Sequence, residues 1–155
     1  MMDLVLWRHA EAEPASDGVD DLARMLTPRG LKQAARMAEW LQRHLPESAR
    51  VLSSPARRCE QTALALDRKY KVRAELAPDG TVDDLLALVR WPEGKGTTLV
   101  IGHQPTLGAT LARVWGGAGQ EPLPVRKGAI WWLTQRSRVE RLETILVSVQ
   151  SPDML

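Results

Sequence analysis

Apolar residues in this chain follow two patterns: short uninterrupted runs that stop at polar turns, and longer stretches where they return every three or four positions. Residues 4–7 (Leu4-Val5-Leu6-Trp7) and 97–101 (ending Leu99-Val100-Ile101) are of the first kind and predict strands buried on both faces. Val51-Leu52 predicts another that stops at Ser53-Ser54-Pro55, and residues 71–76 alternate weakly enough for an exposed third strand. The second pattern starts at Thr27-Pro28, an N-cap followed by a proline suited to the first helical position. It continues through Leu31, Ala34, Ala38, Leu41 and Leu45 until Pro46 ends it. Helices are also predicted over residues 56–69, with Ser53 or Ser54 as cap, and through Leu85, Leu86 and Val89 after the Pro78-Asp79-Gly80 turn. A further helix opens at Pro105, with Leu107, Leu111 and Val114 or Trp115 as its apolar stripe.

Residues 11–21, 91–96 and 116–124 are polar or rich in glycine and proline and predict loops. Near the end, residues 128–134 and 142–149 predict two strands joined by a polar turn at 135–138, an antiparallel hairpin. Adjacent Trp131 and Trp132 must then face opposite sides of their strand. Strand and helix alternate until that hairpin. The alternation predicts an α/β fold: a three-layer α/β/α sandwich with a mostly parallel central sheet, formed by one domain over residues 1–155.

Composition narrows the function classes. A 44% hydrophobic content in 155 residues excludes a disordered chain, and a net charge of +2 spread along the sequence argues against a nucleic-acid-binding face or a polybasic membrane anchor. Cys59 is the only cysteine, which excludes an internal disulfide and a cysteine zinc cage and fits the reducing cytoplasm. The first apolar run has no basic segment before it and is too short for a signal sequence or a membrane span. Three histidines and no His-Glu-x-x-His spacing point to chemistry without a metal or other cofactor.

Candidate chemistry lies where the buried strands end. His9 follows the first run and His103 the fourth, and in open α/β sheets ligands bind at the carboxyl ends of the strands. Arg8 adds a fixed cation suited to phosphate, and Ser54-Pro55-Ala56-Arg57-Arg58 is delivered to the same edge. Arg8-His9-Ala10 resembles the Arg-His-Gly signature of the histidine phosphatase superfamily, which has the phosphoglycerate mutase-like fold. Residues 53–63 resemble its Ser-Pro-x-x-Arg-x-x-Gln-Thr element, and Ile101-Gly102-His103 its late strand-ending histidine. Asp21-Leu22-Ala23-Arg24-Met25-Leu26-Thr27-Pro28-Arg29-Gly30 narrows the likeness to the SixA-type phosphohistidine phosphatases. The motifs come in the family's order and span most of the chain. Ala10 replaces the signature glycine, and the Asn and Thr of many larger members are absent after it.

The resemblance implies roles. His9 is the expected nucleophile, neutral at one ring nitrogen, with a backbone carbonyl fixing its tautomer. Arg8 and Arg58 would clamp the phosphoryl oxygens, and His103 would donate to them as an imidazolium whose pKa bound phosphate holds up. Motif register selects Arg58 and leaves Arg57 at the rim or surface. Asp21, Glu75 and Asp79 are candidates for a leaving-group acid or substrate contact, with Asp21 favoured, and no room exists for the helical lid of larger relatives. The implied substrate is a phosphorylated protein, such as a histidine-containing phosphotransfer protein. A small phosphoester or phosphoanhydride and a non-catalytic phosphate-binding module are the rivals.

Other residues carry plainer expectations. His44 fits a role at the helix dipole, Cys59 a buried apolar filler, Lys127 a rim donor, and Arg24 and Arg29 rim contacts or solvated charges.

Overall fold

The computed structural model describes residues 1–116 and 121–155. Six strands, β1 (Met2–Arg8), β2 (Arg50–Ser53), β3 (Lys71–Val72), β4 (Gly96–Gly102), β5 (Ile130–Arg138) and β6 (Arg141–Gln150), form one sheet. Their order is β3-β2-β4-β1-β5-β6, parallel from β3 to β1 and antiparallel across β1, β5 and β6. Four helices, α1 (Pro28–His44), α2 (Arg57–Ala65), α3 (Val82–Val89) and α4 (Thr106–Leu111), cover it.

The strand pleat sorts the core into two halves. Val5, Trp7, Val51, Leu99 and Ile101 point to the side covered by α1 and α2, where they meet Met37, Ala38, Leu41, Cys59 and Ala63. Leu4, Leu6, Leu52 and Val100 point the other way, onto Leu85, Val89, Leu107 and Leu111 of α3 and α4. Burying each such large side chain contributes about 1.5–3 kcal/mol. The result is the three-layer sandwich the alternation predicts. The buried Trp7 indole also donates to the Gly128 carbonyl at 3.1 Å, which ties β1 to the turn before β5.

α1 begins as expected, with Thr27 Oγ1 accepting from the Gly30 amide at 2.9 Å. Leu31 is a correction to the predicted apolar stripe, being 49% exposed. Its neighbour Gly30 turns inward instead, and a Cβ there would overlap the Glu11 carbonyl oxygen. The buried face is Ala34, Met37, Ala38 and Leu41, with Trp40 beside them. His44, in the last turn, contacts the Trp40 carbonyl through Nδ1 and stacks on the Trp40 ring at 4.3 Å.

Three further boundaries move. α2 stops short of residue 69 because Asp67 adopts a left-handed φ of 55°, which a short polar side chain tolerates. β3 is two residues long rather than six: after Arg73 donates its amide to the Ser53 carbonyl, the chain turns so that Leu76 is buried under the sheet. The 135–138 segment is strand, not turn. Glu143 forms ion pairs across the hairpin with Arg136 at 3.7 Å and Arg138 at 3.1 Å, and the chain reverses at Val139-Glu140, where Glu140 has φ 65°. Trp131 and Trp132 do face opposite sides, Trp132 packing edge-on to Trp40 and Trp131 to Trp115. Pro105 caps α4, whose end continues as a π-type turn (Ala112–Gly116); the predicted loop at 116–124 falls partly outside the described residues.

Candidate active site

β2, β4 and β1 lie side by side, and their carboxyl ends are level: Arg8 is opposite Gly102, and Ser53 opposite Ile101. The next residues on the three strands are His9, His103 and Ser54. Backbone bonds lock this edge, from the His9 amide to the Gly102 carbonyl at 3.2 Å and from the Ser54 amide to the Ile101 carbonyl at 3.0 Å. They stand at one rim of a cleft of about 180 Å³ lined by Arg8, His9, Arg24, Arg58, His103, Gln104 and Lys127, with Ala12 and Pro78. The two imidazole centroids are 5.3 Å apart.

His9 Nδ1 is 2.7 Å from the Ala10 carbonyl oxygen, which can only accept. The ring proton therefore sits on Nδ1, and Nε2 keeps its lone pair. Burial pulls the His9 pKa down from 6.5 to about 4, the Ala10 bond opposes this, and the charges of Arg58, Arg8 and Arg24 add to the fall. At neutral pH the imidazole is uncharged and nucleophilic.

Arg8 donates through Nη1 to the Val125 carbonyl at 2.9 Å. Arg58, 3% exposed, donates to the Asp21 backbone carbonyl at 2.7 Å and to its carboxylate at 3.1 Å. In both arginines Nε is buried without a hydrogen-bond partner. Buried guanidinium N–H groups left over in this way fit an oxyanion acceptor.

His103 sits in a tighter setting than the sequence indicates. Its Nε2 is 2.7 Å from Ser54 Oγ and 3.4 Å from Cys59 Sγ, and its Nδ1 is 3.4 Å from Arg58 Nη2. Arg58 has only protons to offer, so Nδ1 accepts and the neutral ring carries its proton on Nε2, toward Ser54. Burial, His9 and Arg58 push its pKa down from 6.5 to about 3, against a smaller upward pull from Asp21. This setting holds His103 neutral at ordinary pH. The expected imidazolium requires a bound dianion to supply the compensating charge.

Asp21 does not lie open to the cleft as an acid. Its partial burial raises the carboxyl pKa, but hydrogen bonds from Arg24 and Arg58 and the charges of both outweigh that, and the net shift is downward. It is an ionised carboxylate bridging Arg24, at 2.9 Å, and Arg58. Glu75 pairs with Arg73 at 2.8 Å, and neither it nor Asp79 lines the cleft. Arg57 is exposed while Arg58 is buried, as motif register requires. Cys59 is fully buried, and burial drives its thiol up to about 12 despite a hydrogen bond from Ser54. Among the described residues no three His, Cys, Asp or Glu side chains come together as metal ligands, and no helix is long and apolar enough to cross a membrane.

The sequence offers Ser53 or Ser54 as the cap of α2, but the N-cap is Ala56 and no side chain caps the helix. Ser54 Oγ instead accepts from the Ala56 amide at 3.1 Å, just before the helix, and contacts His103 Nε2. The available signal was its position directly after a strand whose end is level with the other two.

A family profile for the histidine phosphatase superfamily (branch 1) matches residues 4–79. The phosphohistidine phosphatase SixA of Escherichia coli (strain K12) is 36% identical over 124 residues, 75% of this chain and 76% of that protein. A SixA homolog of Haemophilus influenzae is 31% identical over 131 residues, 74% of this chain and 78% of the relative. The solved structure of the protein histidine phosphatase SixA complexed with tungstate superposes with a TM-score of 0.79 at 29% identity, covering 97% of both chains. Taken with the level strand ends and the half-buried Arg8 and buried Arg58 beside a neutral histidine, these likenesses place the chain in the histidine phosphatase superfamily, branch 1.

Proposed function

We propose that this protein is a phosphohistidine phosphatase that removes a phosphoryl group from a protein histidine through a phosphohistidine formed on His9. The observation that carries the reading is the pair of buried, unpartnered Nε–H groups on Arg8 and Arg58 beside an imidazole whose Nε2 lone pair is free. In the first step His9 Nε2 attacks phosphorus, the P–N bond to the substrate imidazole breaks, and that imidazole leaves with the electron pair. Arg8 and Arg58 hold the equatorial oxygens as charge spreads over them, and His103, which takes a proton from solvent once the dianion's charge has raised its pKa, donates a further hydrogen bond. Water then attacks phosphorus, the bond to His9 breaks, and inorganic phosphate departs.

An imidazole leaving group needs less protonation than an alkoxide, so a carboxylic acid is not essential to the first step. That agrees with an Asp21 committed to Arg58 and Arg24 and a Glu75 committed to Arg73. The identities of 36% and 31% to phosphohistidine phosphatases favour this substrate class over small esters. A buried single thiol is at home in the reducing cytoplasm.

The test is incubation with a phosphoprotein radiolabelled on histidine. Wild type should acquire acid-labile label and release phosphate, and His9→Ala should do neither. Faster turnover of phosphosugars or nucleotides than of the phosphoprotein would overturn the substrate assignment, and label that is bound but never released would point to a binding module.

A further inference from the structure

A second groove, of about 570 Å³, runs alongside the catalytic cleft, between the outer face of α1 and the segments at Arg126-Lys127 and Pro152-Asp153. Five cationic side chains line it, Arg29, Lys32, Arg36, Arg126 and Lys127, against the carboxylates of Glu11 and Asp153. That local excess, drawn from both sides of the groove, exceeds the net +2 of the whole chain. The positive charge is therefore concentrated here, where the linear sequence reads as evenly spread. Arg29, Lys32 and Arg36 are spaced by three and four residues, which stacks them on one face of α1.

Lys127 lines both the groove and the catalytic cleft, so the two are neighbours across that one side chain. Arg36 is tied through Nη1 to the Pro152 carbonyl at 3.0 Å, but the groove's other charges are held only loosely. Arg29 is 77% exposed and 3.8 Å from Glu11, and the Arg126–Asp153 pair at 3.2 Å is exposed on both sides. Such pairs are worth little and exchange readily for other carboxylates. Among the described residues, Lys32 and Lys127 have no carboxylate within ion-pair distance.

We infer that this groove is a docking surface for the substrate protein, fitted to an acidic face beside its phosphohistidine. The inference rests on the phosphohistidine reading above. An acidic partner face reaching from the groove over Lys127 would bring its phosphorylated imidazole to His9. Charges at such a rim act mainly on association rate and on salt dependence.

The experiment uses a histidine-phosphorylated phosphotransfer domain whose phosphohistidine is ringed by carboxylates, the same domain with those carboxylates changed to amides, and free phosphoramidate. Each is assayed with wild type and with Arg29→Glu/Lys32→Glu, two exposed positions outside the catalytic cleft. We expect kcat/KM on the acidic domain to fall about tenfold at low ionic strength, through KM, and the loss to shrink to less than about twofold at high salt. The amide-substituted domain should show little of this loss and phosphoramidate none. Equal rates for both enzymes on the acidic domain would overturn the docking surface alone, as would an equal loss on phosphoramidate. If wild type hydrolyses small phosphoesters but neither phosphodomain, the phosphohistidine reading fails and the docking surface with it.

Discussion

Acidification should destabilise this protein through His9. His9 has a pKa of about 4 in the folded chain and 6.5 when exposed by unfolding. Between those values the unfolded chain binds a proton that the folded chain refuses, so stability rises with pH across the window and is lost as pH falls through it. From neutrality down to about pH 5, His9 alone should cost about 2 kcal/mol. His103, lowered to about 3, acts with the same sign, and the two terms are not independent because each charge disfavours the other. Replacing His9 with Asn keeps a side-chain N–H for the Ala10 carbonyl but removes the titration. Urea unfolding in phosphate-free buffer at about pH 7 and about pH 5 would measure the stability lost on acidification, and wild type should lose about 2 kcal/mol more than His9→Asn. The replacement's own effect cancels, because only the change with pH is compared. Equal losses in the two proteins would refute the claim that the fold holds His9 neutral.

The arginines should separate cleanly: Arg58→Lys, which cannot keep both Asp21 contacts and the Nε–H, should lower kcat about a hundredfold or more, while Arg57→Ala leaves it within about twofold in the same phosphatase assay. Ser54→Ala removes the contact to His103 Nε2 and strands the Ala56 amide, so kcat should fall about tenfold and unfolding free energy by about 1–2 kcal/mol, read by steady-state kinetics and denaturant titration. Gly30→Ala should destabilise by about 2 kcal/mol or more in thermal unfolding, since its methyl would be driven into the Glu11 carbonyl and the start of α1 would have to move.

The parts of this molecule that sequence reveals are those written in local patterns. β1 and β4 are buried on both faces, so their uninterrupted apolar runs are explicit, and the motif spacing distinguishes the buried Arg58 from the exposed Arg57 one residue away. What escapes the linear reading depends on partners far along the chain. Residues 135–138 look like a turn until Glu143 is placed across from them, and Leu31 looks like core until Gly30 is seen against Glu11. Ser54 contacts His103 across 49 positions of sequence, and the basic groove gathers α1 together with residues near the carboxyl terminus. A net charge of +2 conceals that gathering because charges elsewhere offset it.

The contacts that complete the catalytic edge also set a timetable for the chain's birth. His9 leaves the ribosome more than a hundred residues ahead of the segment that holds it: its carbonyl is engaged by the Gly128 amide, and Arg8 is anchored on Val125. β1 must also wait for β4 and β5 before it has a neighbour on either side. A nascent chain carrying every proposed catalytic side chain should therefore remain inert after His103 has emerged and gain phosphatase activity only once the β5 segment has followed it.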